Sequence, residues 1–336
     1  MKTSPPAIIA PSSQAFERMV RVLFRPFDLG KWFALGFSAW LAGLLDGGGS
    51  SGGSGGGDLG GGFGDSETED VMEDTAGETF HEMVFGVWEA ITRFVEEHPW
   101  VVPVGIALIL IILTIAFVLL WVSSRGKLMF LDNVVRNQAK IGDPWKETGR
   151  LGNSLFRWQF VYAWVTLVLF VLLVGGPAYY LIRSFPGQDM IVSDAAWLPV
   201  LMGSIVVFLL FLIATSYIRT LLEDFVIPVM YQRSVLSLEA WSIVLGLQRE
   251  HLGSMVLFVL WKIVLSLLSG FAVIALVLAT CCLAILPLAI PYVGAVLLLP
   301  VSVFFRSLGP EFLRQFGDEF DLWPEEAAVD AAAGAE

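Results

Sequence analysis

The sequence predicts an all-α fold: a polytopic transmembrane helix bundle of about six spans, with cytoplasmic interfacial amphipathic helices in repeated units. Three observations lead there. The chain is 56% hydrophobic and only 15% charged, against about a quarter charged in soluble domains. Residues 101–122, 158–182 and 195–218 contain no Asp, Glu, Lys, Arg or His, and from Met255 to Phe305 the one such residue is Lys262. A helix rises 1.5 Å per residue, so roughly 20 apolar residues cross the ~30 Å hydrocarbon layer.

Residues 1–31 read as a cytoplasmic amphipathic segment. Phe16, Met19, Val20, Leu23 and Phe24 recur at helical spacing, with Glu17, Arg18, Arg21 and Arg25 between them. Residues 32–45 are a short first span, with Lys31 able to snorkel outward. A secretory signal peptide is the rival for this stretch, but its apolar part begins late and no A-x-A site follows.

Residues 46–79 form a Gly-rich, acidic loop expected to be disordered and extracytoplasmic. Twelve of the 18 residues from Gly47 to Gly64 are Gly, the composition of a flexible coil, and the acidic run after them lacks apolar content to pack. "GGFGD" (Gly61 to Asp65) places its Asp too early for a glycine-rich calcium repeat and occurs once.

Residues 80–309 are the membrane bundle. An amphipathic stretch from Phe80 leads to spans at 101–122, 158–182, 197–218, 257–281 and 289–306, with cytoplasmic helical loops at 123–157 and 219–256. Residues 310–336 give a cytoplasmic amphipathic segment, with Phe312, Leu313, Phe316 and Phe320 on one face, and an acidic tail. Lys and Arg concentrate on the cytoplasmic side of membrane proteins. Six crossings put 18 of the 20 basic residues there, so the threading places the chain in the cell (cytoplasmic) membrane with both termini inside.

The two large loops resemble each other. Trp145 lies 15 residues after Phe130, and Trp241 lies 16 after Phe225. Each Trp heads an amphipathic segment beside basic residues: Arg136, Lys146, Arg150 and Arg157 in one loop, Arg249 in the other. Such a set suits contact with anionic inner-leaflet lipid, or with a protein partner or second copy of the chain.

The stretches "RPFDLGKWFALGFSAWLAGL" (Arg25 to Leu44), "GKLMFLDNVVRNQAKIGDPW" (Gly126 to Trp145) and "GNSLFRW" (Gly152 to Trp158) carry a resemblance. The chain resembles an uncharacterised prokaryotic family of polytopic membrane proteins. Its layout is similar to membrane domains joined to some glycerophosphodiester phosphodiesterases, whose catalytic barrel no segment here could hold. The resemblance implies a membrane fold and no activity.

Chemistry is sparse. Lys262, the one charge within a span, sits about two turns from the edge and is expected to snorkel. His81, His98 and His251 share no ligand spacing, "HEMVF" lacks the second histidine of H-E-x-x-H, and no Walker loop or G-x-S-x-G elbow occurs. Cys281 and Cys282 read as packing residues. Asp132, Asp143, Glu147, Glu223 and Asp224 are available to an enzyme, but no spacing pairs them. No catalytic, metal or cofactor residue is assigned, and bases interleaved with acids exclude nucleic acid as a partner. A non-enzymatic membrane scaffold or assembly partner is the expected function. The alternative is a transporter, channel or lipid-translocating protein without ion-coupling charges.

Overall fold

The computed structural model describes residues 6–45, 86, 89, 92–98, 100–184, 197–280 and 283–323. The loop 46–79, the pair Cys281–Cys282 and the tail from Pro324 lie outside the described residues. The stretch expected to be amphipathic from Phe80 is described only in part, with residues 92–97 helical.

The described residues are all-α, without a strand. In order they form α1 (Ala10–Phe24), α2 (Leu29–Ala42), α3 (Val101–Val135), α4 (Gly142–Glu147), α5 (Gly149–Ser184), α6 (Trp197–Leu221), a π turn (Leu222–Val226), α7 (Ile227–Arg233), α8 (Ser237–Ala279), α9 (Ile285–Ala289), α10 (Pro291–Leu297) and α11 (Leu299–Leu313). Two 3-10 turns follow, Arg314–Phe316 and Asp318–Phe320. Local sequence sets several ends. Asp28 caps α2 by accepting from the Gly30 N–H at 2.8 Å. Ser234, in the left-handed region (φ 53), stops α7. His251 kinks α8 with a non-helical φ of −128.

Among the described residues, four helical stretches are long and apolar enough to cross a membrane: Val101–Val135, Gly149–Tyr180, Pro199–Arg233 and Ser237–Ala279. The pair α10–α11 makes a fifth if taken as one broken span, bent by 66°. Against about six expected spans, the described residues give four or five. The first expected span fails on length: α2 has 14 residues, roughly 21 Å of rise. It ends because Gly43 opens the glycine-rich stretch, where a helix costs backbone entropy.

The chain divides into two compact units, 58–117 with 162–215, and 1–57 with 118–161 and 216–336. In the smaller unit, apolar side chains stand outward along α3, α5 and α6: Leu108 is 56% exposed, Val165 53% and Leu210 59%. The Tyr162 hydroxyl there donates to the Thr215 carbonyl at 3.1 Å.

The larger unit has the core. Leu128, Leu131, Phe225, Met230, Phe258, Leu308 and Phe312 form one buried cluster. Met19, Leu23, Leu35, Ala39, Phe130, Val134, Leu299 and Val303 form another. Phe258 and Phe312 stack with centroids 4.4 Å apart. α2 lies against the last third of α3, where a Cβ on Gly126 would stand 2.8 Å from the Ala42 nitrogen and the Ser123 hydroxyl donates to the Ala42 carbonyl at 2.9 Å.

The segments expected as surface helices, 123–135, 219–233 and 237–254, continue the long helices beyond their uncharged stretches. Their apolar sides include Phe130, Phe225, Ile227, Met230, Ala240 and Val244, all buried. Each sequence amphipathicity here matches a protein core.

Candidate functional site

Five ionisable side chains from four elements of the larger unit converge. α3 supplies Lys127, the π turn Glu223 and Asp224, α8 Lys262, and α11 Arg306. Lys127 Nζ lies 2.9 Å from Glu223 Oε1, and Lys262 Nζ lies 2.7 Å from Asp224 Oδ2. The Arg306 Nη2 donates to the Lys127 carbonyl at 2.5 Å. Side-chain exposure is 6% for Lys127 and Asp224, 15% for Lys262 and 27% for Glu223.

Geometry explains why adjacent carboxylates take different lysines. Successive helical residues point about 100° apart, and a π turn, a frequent feature of functional sites, widens the local backbone. α11 can approach because residue 309 is Gly: a Cβ there would stand 2.8 Å from the Asp224 Cα. Removing two charges from water costs several kcal/mol per ion, which only close pairing recovers. These pairs therefore hold α3, α6, α8 and α11 in one arrangement. They border a cleft of about 390 Å³, part of it open to solvent, with Ala42, Phe130, Ser302 and Phe305 in its walls.

A second ionic cluster joins α1, α11 and the chain after it. Arg18 Nε meets Glu311 Oε1 at 2.7 Å, with side chains 8% and 1% exposed. The Arg18 guanidinium lies 3.4 Å from the Trp323 ring centroid, and Arg314 Nε pairs with Asp321 at 3.0 Å. Among the described residues no group of three or more His, Cys, Asp or Glu side chains is placed to hold a metal ion.

Residues 9–315 match a family described as being of unknown function, DUF7544. The chain belongs to that family. No curated protein and no solved structure matches. The DUF7544 match agrees with the resemblance to an uncharacterised family, and the likeness to phosphodiesterase-linked domains gains nothing from it.

In this DUF7544 chain the seven residues singled out from sequence part into three groups. Arg136 is engaged at 3.0 Å with both Asp132 and Glu147, and Arg150 Nη2 donates to the Ser234 carbonyl at 3.1 Å, closing the end of α7. The tryptophans pack on the protein: Trp241 stacks on Trp158 at 5.0 Å, and Trp145 meets Trp121 edge-on at 5.9 Å, beside Arg125. Their neighbours differ, so the matched spacing does not give matched surroundings. Lys146, Arg157 and Arg249 are exposed.

The ion cluster is what sequence reasoning missed. Lys262, expected to snorkel, pairs with Asp224 instead. A signal was present: Lys127 and Glu223 each lie within five residues of the end of an uncharged stretch, the first ending at Ser124 and the second at Ile218.

Proposed function

We propose that this is a multi-pass protein of the cell membrane with a non-enzymatic role as a scaffold or assembly partner. The observation that carries this is the apolar surface of the four span-length helices, whose most apolar windows have no residue buried within the chain. Such surface needs lipid or other helices to cover it. The layout similar to phosphodiesterase-linked membrane domains fits a membrane part without chemistry of its own. Crosslinking in membranes followed by native purification is expected to recover a stoichiometric partner or a defined homo-oligomer. A lone monomer, in several detergents and in lipid bilayers alike, rejects the proposal.

On this proposal the cytoplasmic face carries Lys146, Arg157 and Arg249 toward anionic inner-leaflet lipid, each contributing about 1 kcal/mol. Replacing all three by Gln is expected to weaken binding to anionic vesicles on the order of a hundredfold at low salt, and much less at high salt. Unchanged vesicle binding makes these side chains topology signals only. Arg150 is left out of the variant because it closes α7.

A transporter, channel or lipid-translocating role is favoured by one observation. Ionised groups on span-length helices mark substrate or ion pathways, and Lys262 with its cleft is such a place. Reconstituted vesicles test it: flux of labelled lipid or solute no greater than in empty vesicles removes that role.

A further inference from the structure

We propose that Arg125, held between Trp121 and Trp145 where α3 meets the first turn of α5, binds the phosphodiester of an anionic membrane lipid. The proposal rests on the membrane reading above and adds to it one specific lipid site, distinct from the exposed set Lys146, Arg157 and Arg249. Position is the first reason. No Asp, Glu, Lys, Arg or His occurs from Val101 to Ser124, so Arg125 is the first charge past that stretch. Span edges are where headgroup phosphates lie and where Trp and Arg anchor a helix. The side chain of Arg125 lies along α5 because residue 152 is Gly: a Cβ there would stand 2.7 Å from the Arg125 Cγ. The guanidinium carbon is 4.7 Å from the Trp121 ring centroid and 5.3 Å from that of Trp145. Such cation–π contacts orient the fork without neutralising its charge.

Charge is the second reason. Among the described residues, the polar and ring partners of the Arg125 guanidinium are Asn153 and the two tryptophans, and no carboxylate pairs with it. The first turn of α5 has no acidic residue. Glu147, the acid closest in sequence to that turn, meets Arg136 at 3.0 Å instead. Hydrogen bonding is the third reason. Three N–H donors share one oxygen: Arg125 Nε at 3.2 Å, Arg125 Nη2 at 3.1 Å and Trp121 Nε1 at 3.2 Å all point to Asn153 Oδ1. An amide oxygen has two lone pairs, and these distances are at the long end of N–H···O bonds, about 2.7–3.2 Å. The site is thus rich in donors and short of acceptors. A phosphodiester brings two charge-sharing oxygens that fit the planar fork, and Asn153 is exposed, so the site is open on that side.

The full chain is reconstituted in nanodiscs of phosphatidylcholine with a minor fraction of phosphatidylglycerol, and lipid retained on release into detergent is counted by native mass spectrometry. One phosphatidylglycerol is expected to be kept in preference to phosphatidylcholine and to resist millimolar inorganic phosphate. Asn153→Asp sets a carboxylate beside the guanidinium at almost unchanged volume. It is expected to weaken retention at least tenfold while leaving the thermal midpoint unchanged or raised. Arg125→Gln is expected to give the same loss of lipid, and Asn153→Asp keeps the test decisive if that variant does not fold. A purely structural Arg125 predicts a firmer contact in Asn153→Asp with lipid retention unchanged. The triple Gln variant of Lys146, Arg157 and Arg249 is expected to keep this one lipid while losing salt-sensitive surface binding, so the two kinds of contact are told apart. Retention by Asn153→Asp within twofold of wild type, no preference for phosphatidylglycerol in the wild type, or its displacement by free phosphate overturns the proposal. A chain that does not enter the bilayer overturns the membrane reading and the site together.

Discussion

Replacing Glu311 by leucine is expected to lower stability by about 3–5 kcal/mol, the usual cost of removing one partner of a buried ion pair. Glu311 is 1% exposed and holds Arg18 at 2.7 Å. Without it, Arg18 stays walled in by the Trp323 ring at 3.4 Å, and a cation–π contact worth about 0.5–2 kcal/mol cannot replace the carboxylate. The pair ties α1 to α11, so its loss loosens the terminal segment as well. Thermal unfolding in detergent, followed by tryptophan fluorescence, is expected to show a midpoint lower by roughly 10 °C, at about 2–4 °C per kcal/mol. The double variant Arg18→Met, Glu311→Leu is expected to recover much of the loss, because an apolar pair replaces the buried charge as well as its partner. A single variant within about 2 °C of wild type contradicts the role given to this pair.

Gly309→Val is expected to do comparable damage by another route. A Cβ at this position would lie 2.8 Å from both the Cα and the Cβ of Asp224, which are backbone or short-stem atoms that cannot swing aside. Overpacking of this kind costs about 1–3 kcal/mol or more, and here the displaced backbone carries the carboxylate of the Asp224–Lys262 pair. The control is Gly270→Ala on α8, where a Cβ meets nothing within 4 Å. That change is expected to be neutral or to stabilise by up to about 1 kcal/mol, as Ala does over Gly in a helix. Separation of the two variants in midpoint checks the prediction, and equal midpoints contradict the close α11–π turn approach.

What the sequence made legible follows from which forces act locally. Uncharged stretches of 22 or more residues at 101–122 and 158–182 require a buried or lipid setting whatever surrounds them, and helices are found at both. Helical periodicity in 123–135 and 219–233 correctly marked an apolar side, but periodicity cannot tell a lipid surface from a protein core. Pairing was hidden because it is long-range. Lys127 and Glu223 are 96 residues apart and Lys262 and Asp224 are 38 apart, so no local spacing rule links them. Arg150 looked equivalent to Lys146 and Arg157 for the same reason, since the Ser234 carbonyl it meets is 84 residues away. Arg136 pairs with Asp132 at i,i+4, a local helix spacing that the sequence did carry. The expected 32–45 and the observed α2 both have 14 residues; the helix starts three residues earlier, after the Asp28 cap, and residues 43–45, though uncharged, do not continue it.

The threading of the chain is the central claim, and cysteine accessibility in intact cells tests it most directly. Ser123, at the end of an uncharged stretch, is unsuitable as a probe because it is only 2% exposed and would resist labelling from either side. Asp143 is 71% exposed at its side chain and lies in the same segment, 123–157, expected on the cytoplasmic side. In a background with Cys281 and Cys282 replaced by Ser, an impermeant thiol reagent is expected to modify Ser54→Cys in intact cells. It is expected to reach Asp143→Cys only after the cells are opened. The reverse pattern would invert the membrane orientation, and equal labelling of both positions would mean that the chain does not cross between Ser54 and Asp143, where Val101–Val135 is the span-length helix.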